Sequence, residues 1–488
     1  KHIRLKSGVE FLKTDVGNLI FIKHLRKFNM KNLTSLSLIL SFTILLGHGS
    51  KVFANSFQNK NSWKAGVARV KITPEESMWM AGYASRDHPS EGKLTDLWAK
   101  ALLLEDANGK RAIMISTDLV AIRQVISEPV RNRIQKLFGL TRSQILINAS
   151  HTHTGPETQS APHVFSLEKK ELEKIDRYAK KLEDQLVNLV AEAIKNLKPA
   201  TIFSENGVSR FQVNRRNNNE NKLDLQTELK GPNDFAVPVI KVVDEKGKIM
   251  AIAFGYACHN TVLGIYEWSG DYAGFAQIEL EKKYPGATAL FFQGAGADQN
   301  PLPRKTVALA MQYGETLAAS VNSVLKEKMK PISPNLTLSY SEIDLKFEKA
   351  SPTIEELKFI ISDSSDTPAY LKANAKVLLS KLEKGEKLMT SYPYPVQVWK
   401  LGEQALITLG GEVLVGYAIE LKKIFGKNIF VFGYSNDVMA YIPTSTVWKE
   451  GGYEAARSPI FTTPWASNIE EVIIKEVKKL AEETGLKP

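Results

Sequence analysis

Short apolar runs alternate with longer segments of helical spacing over most of the chain, and this alternation limits the fold more than any other feature. Ala99–Glu105 and Arg111–Ser116 are typical of two strands joined by a turn at Asn108-Gly109. Residues 167–197 and Val307–Lys326 are typical of amphipathic helices. No linker and no repeat of about 20–50 residues divides the sequence. The pattern predicts an α/β fold of mixed sheets with packed helices in a single domain.

The net charge of +11 is concentrated at the N-terminus. Residues 1–54 hold nine Lys and Arg residues and two acidic residues, so they contribute +7 and the remainder only +4. A nucleic-acid partner is therefore not expected. Lys31 precedes the apolar run Leu33–Gly47, and Val52–Ala54 offers a cleavage point before Asn55, which is typical of a secretory signal peptide. A membrane anchor is the alternative, but the run is shorter than the roughly 20 apolar residues that a spanning helix needs.

These features divide the chain into two parts. We assign residues 1–54 to an upstream leader and a signal peptide, the latter at about residues 30–54. Residues 55–488 are predicted to form a secreted or periplasmic domain with no membrane span once the signal is removed. Cys258 is the only cysteine, so no internal disulfide can form and stability must come from the core or from a bound metal.

Two histidines follow one of the predicted strands. The apolar run Gln144–Ile147 leads into Asn148-Ala-Ser-His151-Thr-His153-Thr-Gly-Pro156, and the Gly-Pro pair cannot continue a strand. On an extended backbone both imidazoles would leave the same face. One could then bind a metal while the other faces the same cavity, since neutral imidazole is the commonest metal ligand. The motif by itself is equally consistent with two surface or turn histidines.

Polar side chains also follow other predicted strands. His259 comes directly after Ile249–Tyr256, although a core histidine with one backbone partner is the alternative. Glu412 is a carboxylate at a strand-to-helix junction, ahead of a predicted helix over Val413–Phe425. The polar loop between Met80 and His88 is a candidate rim for a pocket.

Three further residues are candidates that each have a structural alternative. Asp118 follows a strand and could orient a metal ligand, or it could cap a helix over Leu119–Phe138. Arg215 could clamp an anionic or carbonyl oxygen, or it could be a loop arginine in water. The glycine-rich turn Gly294–Pro301 could form a nest for an oxyanion, with Asp298 at its tip.

Taken together, these segments resemble the N-terminal catalytic domain of the neutral, non-lysosomal ceramidases. The agreement extends over roughly residues 63–465 in the family's order, which is more specific than any single motif. The matching segments are His-Thr-His-Thr-Gly-Pro at 151–156, Cys-His-Asn at 258–260, Ser-Gly-Asp-Tyr-Ala-Gly at 269–274, Gly-Gly-Glu at 410–412, and Asn436 through Tyr441-Ile-Pro-Thr444. The resemblance implies a single ceramidase-like catalytic domain.

The resemblance also implies a zinc site and roles for its neighbours. The Zn²⁺ ligands would be His151, His259, Glu412 and Tyr441. The ion would lower the pKa of a bound water to about 7 and polarise the scissile carbonyl. His153 would be a pocket residue that donates to the substrate or transition state, and Arg215 would contact the substrate.

The chain departs from the family in two places. The family's Gly-Asp-x-Ser-Pro-Asn turn carries a catalytic serine, whereas Gly294–Pro301 contains no serine. A covalent serine mechanism at that position is therefore excluded, and Asp298 becomes a candidate general base or water-positioning group, with a turn-capping aspartate as the alternative. The family's C-terminal immunoglobulin-like domain is not expected, because the chain stops soon after the Tyr441 segment.

The sequence thus predicts a secreted zinc hydrolase that cleaves an N-acyl amide bond by metal-activated water. Its substrate would be ceramide or another N-acylated lipid or sugar. A hydrolase of a different class on the same site, acting on an ester or a glycoside, is one alternative, and a binding protein that keeps the zinc without turnover is the other. The sequence does not fix the oligomeric state.

Overall fold

The computed structural model describes residues 62–159, 167–349, 351–363, 367, 369–455 and 463–488. The predicted leader and signal peptide, residues 1–54, lie outside the described residues. Within the described ranges, no helix combines the length and the apolar composition that crossing a bilayer requires.

The described strands and helices interleave along the chain. The strands are β1 Trp63–Lys71, β2 Gly92–Lys93, β3 Trp98–Glu105, β4 Arg111–Thr117, β5 Ile145–Ala149, β6 Lys198–Val208, β7 Gln212–Asn214, β8 Ala236–Asp244, β9 Ile249–Tyr256, β10 Glu267–Trp268, β11 Thr288–Gln293, β12 Gln299–Pro301, β13 Lys330–Pro331, β14 Leu336–Lys346, β15 Ser391–Leu401, β16 Gln404–Leu409, β17 Glu412–Val413, β18 Phe430–Phe432 and β19 Tyr441–Ile442. The α-helices are α1 Gln124–Phe138, α2 Lys169–Lys195, α3 Asp271–Lys283, α4 Val307–Lys326, α5 Ile354–Ser362, α6 Ala369–Glu383, α7 Val415–Phe425, α8 Ser445–Glu450 and α9 Ile469–Thr484.

The largest sheet has the strand order β11-β9-β8-β6-β1-β3-β4-β5, with β13 paired to β6. Neighbouring strands are antiparallel, except that β9 is parallel to β11 and β4 to β5. Successive side chains of a strand point to opposite faces. On β4, Ile113 and Ile115 pack with apolar side chains of α1 and α2, whereas Ala112 and Met114 enter a second core on the other face.

A second sheet, β14-β15-β16-β18, closes that core from the opposite side. Trp399, Leu406 and Phe432 of this sheet belong to the same apolar cluster as Met114 and Phe292 of the large sheet. Side chains of α7 and α9 cover the outer face of the second sheet, and those of α3 and α4 cover β8, β9 and β11. Two sheets therefore face each other across an apolar core, with helices outside.

Strand β11 lies across the ends of β3, β4 and β5. Three side chains that stand side by side on those strands, Lys100, Ser116 and Asn148, donate to the backbone carbonyls of Ala289, Phe291 and Gln293. Asn148 also accepts from Gln293 N at 2.8 Å and donates to Gly433 O at 2.8 Å. These bonds hold the carboxyl ends of β5, β11 and β18 together, although β5 and β11 are at opposite edges of the sheet order.

Two predictions near this region need correction. The helix expected over Leu119–Phe138 begins at Gln124, whose backbone N–H donates to Asp437 Oδ1. Asp118 is therefore not its N-cap. Its buried carboxylate accepts instead from Trp98 N and from Gln277 Nε2. The local sequence contained no signal for these long-range partners.

Replacing Asn148 with alanine should destabilise the fold by about 1–3 kcal/mol. The change leaves the buried N–H of Gln293 without its partner, at about 1–3 kcal/mol, whereas the carbonyl of Gly433 still accepts from Ser435 Oγ. Urea unfolding measures the difference. Asn196→Ala serves as a control, because Asn196 is exposed and makes a single side-chain bond, to Val67 O. Equal losses for the two variants would contradict the bridging role of Asn148.

Candidate active site

The candidate site lies where several strands end at the same edge of the core. His151 follows β5, His259 follows β9, and the glycine-rich turn follows β11. Backbone bonds fix these segments: His151 N donates to Leu119 O at 2.9 Å, and His259 N donates to Gln299 O at 2.9 Å. Residues that are more than a hundred positions apart in sequence are thereby brought to one place.

Three imidazoles meet at this edge. His151 Nε2 lies 3.2 Å from His259 Nε2 and 3.1 Å from His153 Nε2. The candidate ligand atoms of the three rings all lie within 4.8 Å of one another, and all three residues are buried. The structure therefore brings His151, His153 and His259 together in one cavity.

The opposite ring nitrogens distinguish the three histidines. His151 Nδ1 lies 2.7 Å from Val120 O, and His259 Nδ1 lies 3.1 Å from Gly296 O. A carbonyl can only accept, so each Nδ1 carries the proton and each Nε2 presents a lone pair to the cluster. His153 Nδ1, in contrast, is buried without a hydrogen-bond partner among the residues that the structure describes. None of those residues fixes its tautomer in the same way.

Glu412 and Tyr441 enter the cluster from a separate pair of strands. β17 and β19 are parallel, and their register sets Glu412 directly beside Tyr441. Glu412 Oε2 lies 3.3 Å from His151 Nε2 and 3.5 Å from His259 Nε2, yet it makes no hydrogen bond of acceptable geometry with any described residue. Tyr441 OH lies 3.5 Å from His259 Nε2.

This arrangement fits a metal ion. The lone pairs of His151 Nε2 and His259 Nε2 and a Glu412 oxygen converge at 3.2–3.5 Å without protons between them, which is repulsive unless a cation is present. Donor atoms of a tetrahedral zinc site lie about 3.3 Å apart, given a Zn–N distance of about 2.0–2.1 Å. The second nitrogens of His151 and His259 also have the backbone partners expected of metal-ligating histidines. The histidine cluster can therefore hold a metal.

Burial governs the protonation of these groups. It lowers the pKa of His259 to about 4, and nearby Arg215 adds to the effect. It also lowers the pKa of His153 well below the usual value, together with the neighbouring imidazoles. Burial and the Glu412 carboxylate raise the pKa of Tyr441. Both histidines are thus neutral at pH 7, as metal binding requires.

Arg215 connects the cluster to a set of polar groups. Its Nη2 donates to Tyr441 OH at 3.2 Å, and its Nε donates to Glu454 Oε1 at 2.8 Å. The guanidinium carbon lies 5.6 Å from the Tyr441 ring centroid and 5.5 Å from that of Tyr453. Arg216 pairs with the other oxygen of Glu454 at 2.6 Å. Arg215 is therefore an oriented residue of the site and not a loop arginine in water.

Asp298 has only structural partners among the described residues. Its Oδ1 accepts from Val415 N, at the first turn of α7, at 2.9 Å. Its Oδ2 accepts from Asn214 Nδ2 at 3.1 Å, and its carbonyl accepts from Arg215 N at 2.9 Å. Burial raises the pKa of its carboxyl group. These contacts join the glycine-rich turn to α7 and to the Arg215 segment.

The backbone at the histidine motif differs from the predicted extended strand. β5 ends at Ala149, and His151 has φ +62°, in the left-handed region. Such a conformation is uncommon for a residue with a side chain, and strained backbone of this kind clusters at functional sites. The two imidazoles share a cavity because the chain turns between them and not because a strand places them on one face.

Sequence reasoning missed one residue at the centre of the site. Tyr434 is fully buried with φ +50°, and its ring centroid lies 4.5 Å from that of His151. Its hydroxyl has no hydrogen-bond partner within the described part of the chain. Tyr434 occupies a strand end before a polar segment, like the histidines, but an aromatic residue there was indistinguishable from core.

The sequence model described as neutral/alkaline non-lysosomal ceramidase, N-terminal, matches residues 63–337. The chain belongs to this ceramidase family. The resemblance inferred from the motifs is thereby confirmed.

Individual relatives in the ceramidase family are distant. The chain is 26% identical over 278 residues to neutral ceramidase B of Dictyostelium discoideum, a match that covers 51% of this chain and 38% of that protein. It is 25% identical over 256 residues to the neutral ceramidase of Pseudomonas aeruginosa, covering 49% of this chain and 37% of that protein. The chain thus spans well under half the length of these curated relatives.

Solved structures give the same fold. The crystal structure of the neutral ceramidase from Pseudomonas aeruginosa superposes with a TM-score of 0.67 at 19% identity, covering 88% of this chain and 75% of that one. A ceramidase complexed with C2 also superposes with a TM-score of 0.67, at 18% identity and with 88% and 76% coverage. The predicted α/β architecture of mixed sheets and packed helices is confirmed.

In the metal-free protein, the free energy of unfolding should fall as the pH drops from about 6.5 towards 4. The pKa of His259 is lowered in the folded state from 6.5 to about 4, so the unfolded chain binds this proton first. The contribution of neutral His259 to the free energy of unfolding is complete above pH 6.5 and amounts to roughly 3 kcal/mol. Urea unfolding with a chelator at several pH values measures it. His259→Gln should remove this part of the pH dependence, and an unchanged slope would contradict the assignment.

Proposed function

We propose that the chain is a zinc-dependent hydrolase that cleaves an N-acyl amide bond, in ceramide or in another N-acylated lipid or sugar. The observation that carries the proposal is the convergence of three imidazole nitrogens and the Glu412 carboxylate on one buried point. Membership of the ceramidase family supports amide hydrolysis as the reaction.

The ligands in this proposal are His151, His259, Glu412 and Tyr441. His151 and His259 are preferred over His153 because only their Nδ1 atoms are held by backbone carbonyls. Glu412 supplies an oxygen that lies close to both rings without hydrogen-bonding to either. Tyr441 supplies the phenol oxygen beside His259.

A bound Zn²⁺ would polarise the scissile carbonyl and lower the pKa of a water. The protein's own groups would orient and protonate. His153 reaches the cluster with Nε2 and keeps an uncommitted Nδ1, so it can donate a hydrogen bond or carry a proton to the reacting group. Arg215, held by Glu454, keeps its Nη2 on the Tyr441 oxygen and presents a positive charge to the same cavity.

Polar groups beside the cluster are consistent with a second substrate class, an ester or a glycoside. Arg215, Glu454 and Asn300 form a hydrogen-bonded set next to Tyr441. This set suits a substrate with a polar head next to the reacting bond, so the ester or glycoside alternative stands beside an N-acylated lipid.

Secretion or periplasmic export of the chain is part of the proposal and depends on the signal-like segment at about residues 30–54.

The first test combines metal content with hydrolysis. The purified protein should contain about one zinc per chain by mass spectrometry and should release fatty acid from ceramide or an N-acyl sugar, and a chelator should abolish the release. His259→Ala should lose the zinc. His153→Ala should keep it but lower kcat at least roughly a hundredfold, the lower end of general acid–base contributions.

Three outcomes would count against this proposal. Full zinc in His259→Ala would refute the ligand set. Loss of zinc from His153→Ala would make His153 a ligand. Cleavage of a matched ester or glycoside, with no release from any amide, would replace the proposed reaction.

Asp298 is proposed to position α7 and Arg215 and not to act as the base. Asp298→Asn keeps an acceptor for Val415 N, so kcat should fall less than about tenfold. Asp298→Ala removes that acceptor and should lower the free energy of unfolding by about 1–3 kcal/mol, because the buried N–H is left unpaired. Steady-state kinetics and urea unfolding give both values. A loss of kcat of roughly a hundredfold or more in Asp298→Asn would instead identify a general base.

A further inference from the structure

On its Nδ1 side, the ring of His153 has no orienting hydrogen bond among the described residues. His151 and His259 are held through their Nδ1 atoms, whereas His153 Nδ1 has no partner. A ring that must deliver a proton or a hydrogen bond has to be held in position. Packing must therefore fix this side chain, and the segment Met80–Arg86, hereafter the strap, supplies the contacts.

The first half of the strap is fastened to the residues after His153. Met80 forms an isolated antiparallel bridge with Pro156, and Ala81 N donates to Gly155 O at 3.0 Å. Gly82 then passes directly over the imidazole. A Cβ at Gly82 would lie 2.4 Å from His153 Cγ and 2.6 Å from its Nδ1, and the φ of +98° also favours glycine. The ring and the backbone fit only because no side chain separates them.

Tyr83 closes the ring from another direction. Its ring centroid lies 4.7 Å from that of His153, with an interplanar angle of 61°. Its hydroxyl donates to Leu263 O at 2.9 Å, so the aromatic ring is itself held in place. Edge-to-face contacts of this kind contribute about 0.5–1.5 kcal/mol beyond the area that they bury.

Arg86 holds the backbone of His153. Its Nη2 donates to His153 O at 2.9 Å and to Ile265 O at 3.1 Å, which ties the two loops together. The residue is only 6% exposed, and its Nε and Nη1 have no hydrogen-bond partner in the described ranges. A buried guanidinium without a carboxylate is costly, and the rings of Tyr83 and Tyr266 at 5.5 and 4.8 Å offset part of that cost. The contact is therefore kept at the expense of stability.

We propose that the strap is the positioning element of His153, with Gly82, Tyr83 and Arg86 replacing the Nδ1 hydrogen bond that the other two histidines have. This inference rests on the proposed function for the role of His153 in turnover, but the geometry alone carries the positioning itself. None of the three residues need touch the substrate.

The test uses two variants, each with a matched control elsewhere in the fold. Gly82→Ala pushes a Cβ into the imidazole, whereas Gly109→Ala introduces a side chain at φ +81° with nothing within 4 Å. Arg86→Met removes the bond to His153 O, whereas Arg131→Met removes another buried arginine, which bonds to Arg142 O and Tyr340 OH. Zinc content and thermal unfolding are measured on all four.

Gly82→Ala and Arg86→Met should lower kcat at least roughly tenfold, since a displacement of about 1 Å can cost a hundredfold. Zinc content should be unchanged, and both controls should stay within about twofold of the wild type. In a His153→Gln background, Gly82→Ala should cause no further loss. An equal loss in both backgrounds, or full activity of Gly82→Ala, would overturn the positioning role.

An activity-independent measurement separates this proposal from the proposed function. In protein with ¹⁵N-labelled histidine, Gly82→Ala should shift or broaden the imidazole resonances of His153 and leave those of His151 and His259 in place. Unchanged His153 resonances would overturn the inference whatever the activity. If the resonances shift but the His153→Gln variant keeps full activity, the positioning role of the strap is retained and His153 has no role in turnover.

Discussion

The mutual approach of unprotonated imidazole nitrogens is the interaction on which the site depends. The His151 Nε2 atom is 3.2 Å from that of His259, and a Glu412 carboxylate oxygen lies 3.3 Å from it. Since Val120 O and Gly296 O fix the protons of His151 and His259 on the far side, no hydrogen bond relieves the crowding between those two rings. A bound cation would relieve this crowding, and the fold positions the donor atoms around one point.

The cost of this arrangement is visible in the surrounding backbone. His151, Tyr434 and Asn436 all have φ between +50° and +66°, a region that costs a residue with a side chain of order 1–3 kcal/mol. Each is over-determined by long-range contacts: Asn436 Oδ1 accepts from Ile147 N at 3.0 Å, and Ala149 N donates to Tyr434 O at 3.2 Å. Two strand ends from different sheets thus lock each other in place.

Some side chains of the site are held in position by hydrogen bonds and others by packing. His151 and His259 have backbone carbonyls behind them, Arg215 has Glu454, and His153 has the strap. The glycine-rich turn, which lacks the family serine, is tied through Asp298 to α7 and to the Arg215 segment. The only carboxylate of that turn therefore has structural partners.

The sequence by itself determined the residue types and the elements that carry them. Short apolar runs and helical spacing identified β3, β4 and α4 correctly, because a strand buried on both faces is a continuous apolar run and a helix repeats its apolar residues every three or four positions. Ordered motifs named His151, His153, His259, Glu412 and Tyr441, which the fold brings together. Tertiary structure alone decided the rest. The start of α1 at Gln124, the left-handed turn at His151 and the strap over His153 all depend on partners far away in sequence. Local sequence propensity contains no information about such partners, since their positions are set only when the strand ends meet.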